Sequence, residues 1–189
     1  METLENAGVV NDTTERVNWN LDLIHSSIRF SVRHLVVSEA HGHFNSFKVN
    51  VNSLRRGFAG AEAEVRIDVK SIETGMPDRN GHLLSDDFFN AEKFPEIIFK
   101  STSLEKIDDE TYKVKGNLTI RDVTKEVTLD ATYGGEILDQ WGFTRVGFNV
   151  TGVINREDFG VKFNTLLDTG AVALSKNVKI NCDMELTRK

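Results

Sequence analysis

Apolar and polar residues alternate along most of this chain. Val17, Trp19, Leu21 and Leu23 are apolar, then Ile28, Phe30 and Val32, then Ala61, Ala63, Val65, Ile67 and Val69. The same two-residue period returns in Tyr112, Val114, Leu118 and Ile120, and in Val127, Leu129, Ala131 and Tyr133. It closes the chain in Val146, Phe148 and Val150, and in Val178, Ile180, Cys182, Met184 and Leu186. Successive side chains of a strand face opposite sides of its sheet, so each run predicts an antiparallel strand with one apolar face. A chain built almost wholly of such strands hides those faces by curling on itself, and closure removes its unpaired edges. The predicted fold is therefore all-β: an antiparallel barrel of about eight strands.

The segments between the runs set the expected connections. Ser26-Ser27 separates the first two runs, or bends one long strand. Gly42 falls between the second run and the next, Phe44 to Val51. Ile107-Asp108-Asp109-Glu110 and Tyr133-Gly134-Gly135-Glu136 have the turn chemistry of hairpins. One block breaks the alternation: Ser71 to Phe94, with Pro77 suited to a first helical turn and Asp86 to an N-cap. It predicts a short helical insertion, and a connection longer than about 15 residues inside a compact domain is usually functional. Residues 1–16 are polar and acidic and predict a disordered tail ahead of one domain over residues 17–189.

Composition narrows the function. A chain of 189 residues fits one large β domain that buries most of its apolar surface without disulfides. The lone Cys182 reads as a small buried apolar residue of an alternating strand. With 23 Lys and Arg against 29 Asp and Glu, the net charge is −6 and the basic residues are scattered, which argues against a nucleic-acid partner. Nor is there an apolar stretch of the roughly 18 residues that a transmembrane helix needs. Met1 to Arg16 has no secretory h-region, so the expectation is a cytoplasmic protein, or a periplasmic one if a precursor was trimmed ahead of Met1.

Several constellations of polar residues bear on chemistry. His25-Ser26 resembles a base beside a nucleophile, but neighbours on an extended strand face opposite ways, and there is no G-x-S-x-G elbow. His41-Gly42-His43 places two imidazoles at i and i+2 without a third ligand nearby, so no metal site is expected and a solvated turn is. Asp86-Asp87 and Asp108-Asp109-Glu110 suit turns and caps. His34 continues the inward register of Ile28, Phe30 and Val32, where a histidine is more often hydrogen-bonded into the structure than a ligand contact.

What remains is the barrel interior. Eight strands enclose a space that side chains fill or that holds one small ligand. Composition leaves both open, although twelve Phe supply large apolar walls. Ten carbons of an apolar tail buried there would contribute about 8 kcal/mol, roughly micromolar affinity before the cost of ordering the chain.

At this point the residues carry a family resemblance. Trp19-Asn20-Leu21-Asp22-Leu23 with Ile28-Arg29-Phe30-Ser31-Val32-Arg33-His34-Leu35 is similar to the opening of the YceI-like family of polyisoprenoid-binding proteins, and Gly42-His43-Phe44-Asn45-Ser46-Phe47 to its next strand. Ser71-Ile72-Glu73-Thr74-Gly75, Arg79, His82-Leu83, Asp87-Phe88-Phe89 and Phe94-Pro95-Glu96-Ile97-Ile98-Phe99 form the most specific stretch. Gly116-Asn117-Leu118-Thr119-Ile120-Arg121-Asp122 and Ile154-Asn155-Arg156-Glu157-Asp158-Phe159-Gly160 complete it, so the match runs from about Trp19 to Leu186. Asn80 stands where the family usually has Asp, and Asp122 where glycine is common, a turn position that tolerates Asp.

The resemblance implies a lipocalin-like, extended barrel with a helical element beside it. It implies a tunnel occupied by a polyprenyl chain, an isoprenoid quinone or a related lipid. It implies no metal, no cofactor beyond the bound lipid, no established catalysis, and often a homodimer. Storage or transport of the lipid is the expected role. Phe30, Val32, Phe44, Phe47, Val65, Ile67, Phe148 and Val150 are the expected tail contacts; His34, Arg79 and His82 are the expected head-group contacts near the mouth. Arg79, His82, Asn155, Arg156 and Asp158 have a second reading, as ties holding the long loop and a tight turn to the barrel. Three rival functions stand beside this one: a stress-linked interaction protein with a filled barrel, a fatty-acid binder, and an enzyme acting on a lipid in the cavity.

Overall fold

The alternating runs form strands that pair in a ring. The computed structural model describes residues 15–35, 37–165 and 173–189. In chain order these give β1 (Arg16–Leu21), β2 (Ser27–His34), β3 (Ser38–Phe44), β4 (Phe47–Leu54), β5 (Gly57–Asp68) and β6 (Ile72–Glu73), then the helix α1 (Pro77–Leu84). β7 (Glu96–Lys106), β8 (Thr111–Ile120), β9 (Val123–Leu138), β10 (Thr144–Asn155) and β11 (Leu174–Arg188) follow. The expected tail over residues 1–16 lies outside the described residues apart from Glu15 and Arg16, and Arg16 opens the first strand.

Antiparallel neighbours run β1-β4-β5-β7-β8-β9-β10-β11, and β1 pairs back with β11 through Asn20 opposite Thr187 and Leu21 opposite Leu186, closing an eight-stranded barrel. β11 serves two partners. Its first half, Leu174 to Asp183, pairs with β2, and β2 pairs in turn with β3. Thus β1 and β2 act as one long strand bent at Asp22–Ser26, and β3 and β4 as another bent at Asn45-Ser46. The antiparallel order gathers the β2–β3 and β8–β9 turns, α1 and the β10–β11 connection at one end, called upper here. The lower end carries the β4–β5, β7–β8 and β9–β10 turns.

The insertion closes a side of the barrel. Beyond its bend β3 leaves the neighbour of β4, and the edge so exposed is taken by β6, with His43 opposite Glu73 and Phe44 opposite Ile72. An exposed edge of unpaired peptide groups would otherwise invite association. Pro77 occupies the first turn of α1, as expected, since its missing N–H would be unpaired there anyway. Asp86 starts no second helix; its carboxylate instead accepts from Asn90 Nδ2 at 2.6 Å and meets Arg121 Nη2 at 3.2 Å.

Two expected turns are strands. Gly134-Gly135 lies inside β9, where the register with β10 shifts at Gly147/Phe148. A glycine at φ 107°, Gly135, absorbs that bulge, and the chain reverses later at Asp139–Phe143. There Asp139 Oδ1 accepts from the N–H groups of both Trp141 and Phe143 at 2.9 Å. His41-Gly42-His43 lies within β3, Gly42 facing inward opposite Phe30. A Cβ at Gly42 would sit 2.3 Å from Phe30 Cζ, so glycine is there for a ring to lie across it. Gly116 does the same for Phe99, at 2.4 Å. The Ile107–Glu110 hairpin forms as expected, with Asp108 Oδ1 accepting from Glu110 and Thr111.

Candidate functional site

The inward faces of the strands do not meet. They leave a cavity of about 500 Å³ inside the barrel, a size typical of small-molecule sites. Cross-strand pairs make its walls: Val65 opposite Phe99, Ile67 opposite Ile97, Phe30 opposite Ile180, Val32 opposite Val178 and Val150 opposite Cys182. Each pair follows from the two-residue period, which sends every second side chain of both strands to the same face.

Aromatic rings close the lower end. Phe58 packs on Trp19 at 5.2 Å and on Phe148 at 4.8 Å, and Phe148 meets Tyr133 at 5.3 Å and Tyr112 at 6.0 Å. Such edge and tilted contacts are favourable beyond the area they bury. The Trp19 indole N–H donates to Ser53 Oγ at 2.9 Å, and Ser53 donates on to Leu54 O at 2.8 Å, so the polar atoms beneath the floor are paired.

The upper end is where polar groups reach the cavity. Thr74, Arg79 and His82 of the insertion line it, with His34, Arg156 and Thr165. Arg79 is held by Thr74, its Nε donating to Thr74 Oγ1 and its Nη2 to Thr74 O, both at 2.9 Å. The Asn80 side chain bonds the insertion together: its Oδ1 accepts from Thr74 N at 3.0 Å and Thr74 Oγ1 at 2.7 Å, and its Nδ2 donates to Glu73 Oε1 at 3.0 Å. That last bond, with the Gly75 N–H, holds the Glu73 carboxyl below its ordinary pKa. An Asp at this position would keep the two acceptor bonds and lose the donor. His82 Nε2 bonds Asp87 Oδ2 at 2.8 Å, and its ring stands edge-on to Phe88 and Phe163 at 5.0 and 4.8 Å.

Arg156 is set by a tight 3-10 turn, Arg156–Phe159. Asn155 Oδ1 caps it by accepting from Glu157 N at 3.1 Å, Gly160 ends it at φ 78°, and Phe159, 2% exposed, pins it. Arg156 Nε donates to Ser175 O at 3.0 Å, and Nη1 donates to Val161 O at 2.9 Å and Phe163 O at 2.8 Å. These bonds brace the chain that follows β10, so Arg156 ties the tight turn to the barrel.

Two groups bear on reactivity. Burial pushes the Cys182 thiol up to about 12, so little thiolate exists near neutrality. Asp22, His25 and Glu185 bring potential ligand atoms within 4.8 Å of one another. Arg145 Nη1, however, donates to Asp22 Oδ2 at 2.7 Å and Glu185 Oε1 at 2.6 Å, so a guanidinium already holds the place a cation would take.

Of the residues singled out from sequence, Phe30, Val32, His34, Phe44, Val65, Ile67, Arg79, His82, Phe148 and Val150 line the cavity. Phe47 does not. It shares the inward parity of Val49 and Val51, but it sits at the bend into β4, buried against a separate depression with Leu23, Ser26 and Asn45. Sequence reasoning also passed over Phe99, Leu129 and Cys182 as wall residues, although Leu129 and Cys182 stand in recognised alternating runs. Leu83, Phe88 and Phe89 were out of reach, because the insertion has no strand period to place them.

The comparisons agree with this architecture. Residues 19–186 match the family model of the YceI-like domain. A UPF0312 protein of Staphylococcus aureus strain N315 is 37% identical over 171 residues, covering 90% of this chain and 97% of that one. The Campylobacter jejuni YceI protein superposes with a TM-score of 0.72 at 32% identity, covering 83% of this chain and 90% of that one. A polyisoprenoid-binding domain from Saccharophagus degradans shares the fold, with a TM-score of 0.64 at 17% identity over 90% of this chain and 98% of that one. No helix among the described residues is long and apolar enough to cross a membrane. The chain belongs to the YceI-like family.

Proposed function

We propose that this protein binds a long apolar lipid, an isoprenoid chain above all, inside the barrel and acts as its carrier or store. The observation that carries the reading is the cavity of about 500 Å³, lined mostly by apolar side chains, with aromatic rings at its lower end and Thr74, Arg79 and His82 at its upper end. A tail would lie against Phe30, Val65, Ile67, Phe148 and Val150, with its polar end toward His34, Arg79 and His82. The polyisoprenoid-binding relative of the same fold supports the ligand class. If each carbon takes roughly the space of a water, about 30 Å³, the cavity takes on the order of 15 to 20 carbons. That length suits a farnesyl or geranylgeranyl chain, and a longer prenyl tail would emerge at the upper end. A binding role is favoured over catalysis because, among the described residues, the walls offer neither an activated nucleophile nor a base paired with one.

Delipidated protein titrated with prenyl alcohols of 10, 15, 20 and 40 carbons tests this. Affinity should rise steeply to about 15–20 carbons and then level off. Flat, millimolar binding at every length would reject the reading. A preference for straight-chain fatty acids of 16 to 18 carbons over prenyl chains would favour the fatty-acid alternative, which the cavity size also accommodates.

A further inference from the structure

Two rings bound the lower end of the cavity, and they reach it by different routes. Phe58 lines the cavity although it breaks the parity of Ala61, Ala63, Val65 and Ile67 on the same strand. The β4–β5 register shifts between Asn52 and Leu54, and Gly60 takes φ 70°, so this irregularity turns Phe58 inward. Phe148 keeps the inward parity of β10 and stands opposite Tyr133, Gly134 being the extra residue of the facing bulge. The two Phe rings meet edge to face, their centroids 4.8 Å apart.

Behind them the apolar column ends. Trp19, Tyr112 and Tyr133 touch these rings but are not part of the cavity wall. Trp19 is pinned through its indole N–H to the buried Ser53, and the Arg188 guanidinium lies over its ring at 5.0 Å. A tail that reaches Phe58 and Phe148 therefore meets packed aromatic side chains, with a charged group beyond them. Thr74, Arg79 and His82 stand at the opposite end, which sends the tail downward.

We propose that Phe58 and Phe148 form the stop that sets the chain length of the bound lipid. This rests on the lipid-binding reading and adds to it the residues that determine specificity. A prenyl unit that enters the cavity buries new apolar surface, whereas a unit held out by the stop remains in water at the mouth. A close-packed floor yields space only when atoms are removed from it. F58A or F148A removes about six carbons, close to the roughly five of one prenyl unit, and leaves a space that relaxation only partly fills.

The experiment measures the affinity of delipidated full-length protein, F58A, F148A and V150F for prenyl alcohols of 10, 15, 20, 25 and 30 carbons. The readout is the ratio of successive affinities within each protein, which cancels any general loss of binding in a variant. In the unaltered protein each unit should add about tenfold or more up to the stop, near 20 carbons, and about twofold or less beyond it. In F58A and F148A the large step should persist for about one unit more. V150F, which sets a ring above Phe148 on the same face of β10, should bring the stop about one unit earlier. A stop unmoved in both F58A and F148A would overturn the proposal, as would affinity that climbs evenly to 30 carbons in the unaltered protein. If neither alanine variant folds, F58L and V150F carry the test, and a stop unmoved in both counts against it. Failure of the unaltered protein to bind any of the alcohols would instead reject the lipid-binding reading itself.

Discussion

Arg145 Nη1 lies 2.7 Å from Asp22 Oδ2, joining residues 123 positions apart. The same guanidinium reaches Asp139 Oδ2 through Nε and Glu185 Oε1 through Nη1, both at 2.6 Å. Asp22 also shapes its own bend, its Oδ1 accepting from the N–H groups of Ile24 and His25. One cation therefore fastens the bend between β1 and β2 to the β9–β10 turn and to β11, near the place where the ring closes.

This cluster gives a pH prediction. The hydrogen bond from Arg145 is the main reason that the Asp22 carboxyl falls from 3.8 to about 2. A depressed folded-state value contributes stability that is present above about pH 4 and drains away as the pH falls toward 2. Chemical denaturation should show that loss, about 1 kcal/mol once solvent screening is allowed for. D22N should flatten the profile in that window; a profile identical to that of the unaltered protein would contradict the assignment.

Gly42 predicts a defect that originates in shape. In G42A the new methyl meets the Phe30 ring and pushes it into the cavity, at a cost of about 1–3 kcal/mol by overpacking. Lipid affinity should fall several-fold in G42A, and F30L in the same chain should recover most of it. Isothermal titration with a 15-carbon prenyl chain measures both. Unchanged affinity in G42A would mean that Phe30 does not shape the space.

Asn80 predicts a charge effect on the insertion. In N80D a second carboxylate faces Glu73 where an amide now donates at 3.0 Å. Thermal unfolding at pH 7 should occur a few degrees lower than in the unaltered protein, consistent with a loss of about 1 kcal/mol. The gap should close near pH 4, where one carboxyl of the pair gains a proton. A gap that persists there would point to geometry and away from charge.

Cys182 predicts inertness. With its thiol pushed from 9.0 to about 12 by burial, a charged thiol reagent at pH 8 should label unfolded protein in minutes and native protein hardly at all. The raised value also means that stability from the buried thiol is intact below pH 9 and is lost as pH rises from there toward 12. C182A should lack that alkaline slope in its unfolding midpoint. Fast native labelling would show that the cavity wall opens at Cys182.

The barrel was legible because a period of two runs unbroken along most strands: Val146, Phe148 and Val150 keep one parity, the extra residue of the neighbouring bulge falling on β9. The turns were less legible. Gly134-Gly135 has hairpin chemistry, yet its glycines serve a bulge inside a 16-residue strand, and only the partner strand distinguishes the two. Gly42 looked like a turn because the Phe30 ring that requires it is distant in sequence. Phe47 had the correct parity but stands at a bend, where parity no longer implies a view of the cavity.

Native mass spectrometry of the full-length protein, purified from its own host without detergent, tests the central claim most directly. The account predicts an added mass that is released on organic extraction and matches an isoprenoid or related lipid. Protein that flies at its bare sequence mass, and that takes up no prenyl chain when one is supplied, would contradict it.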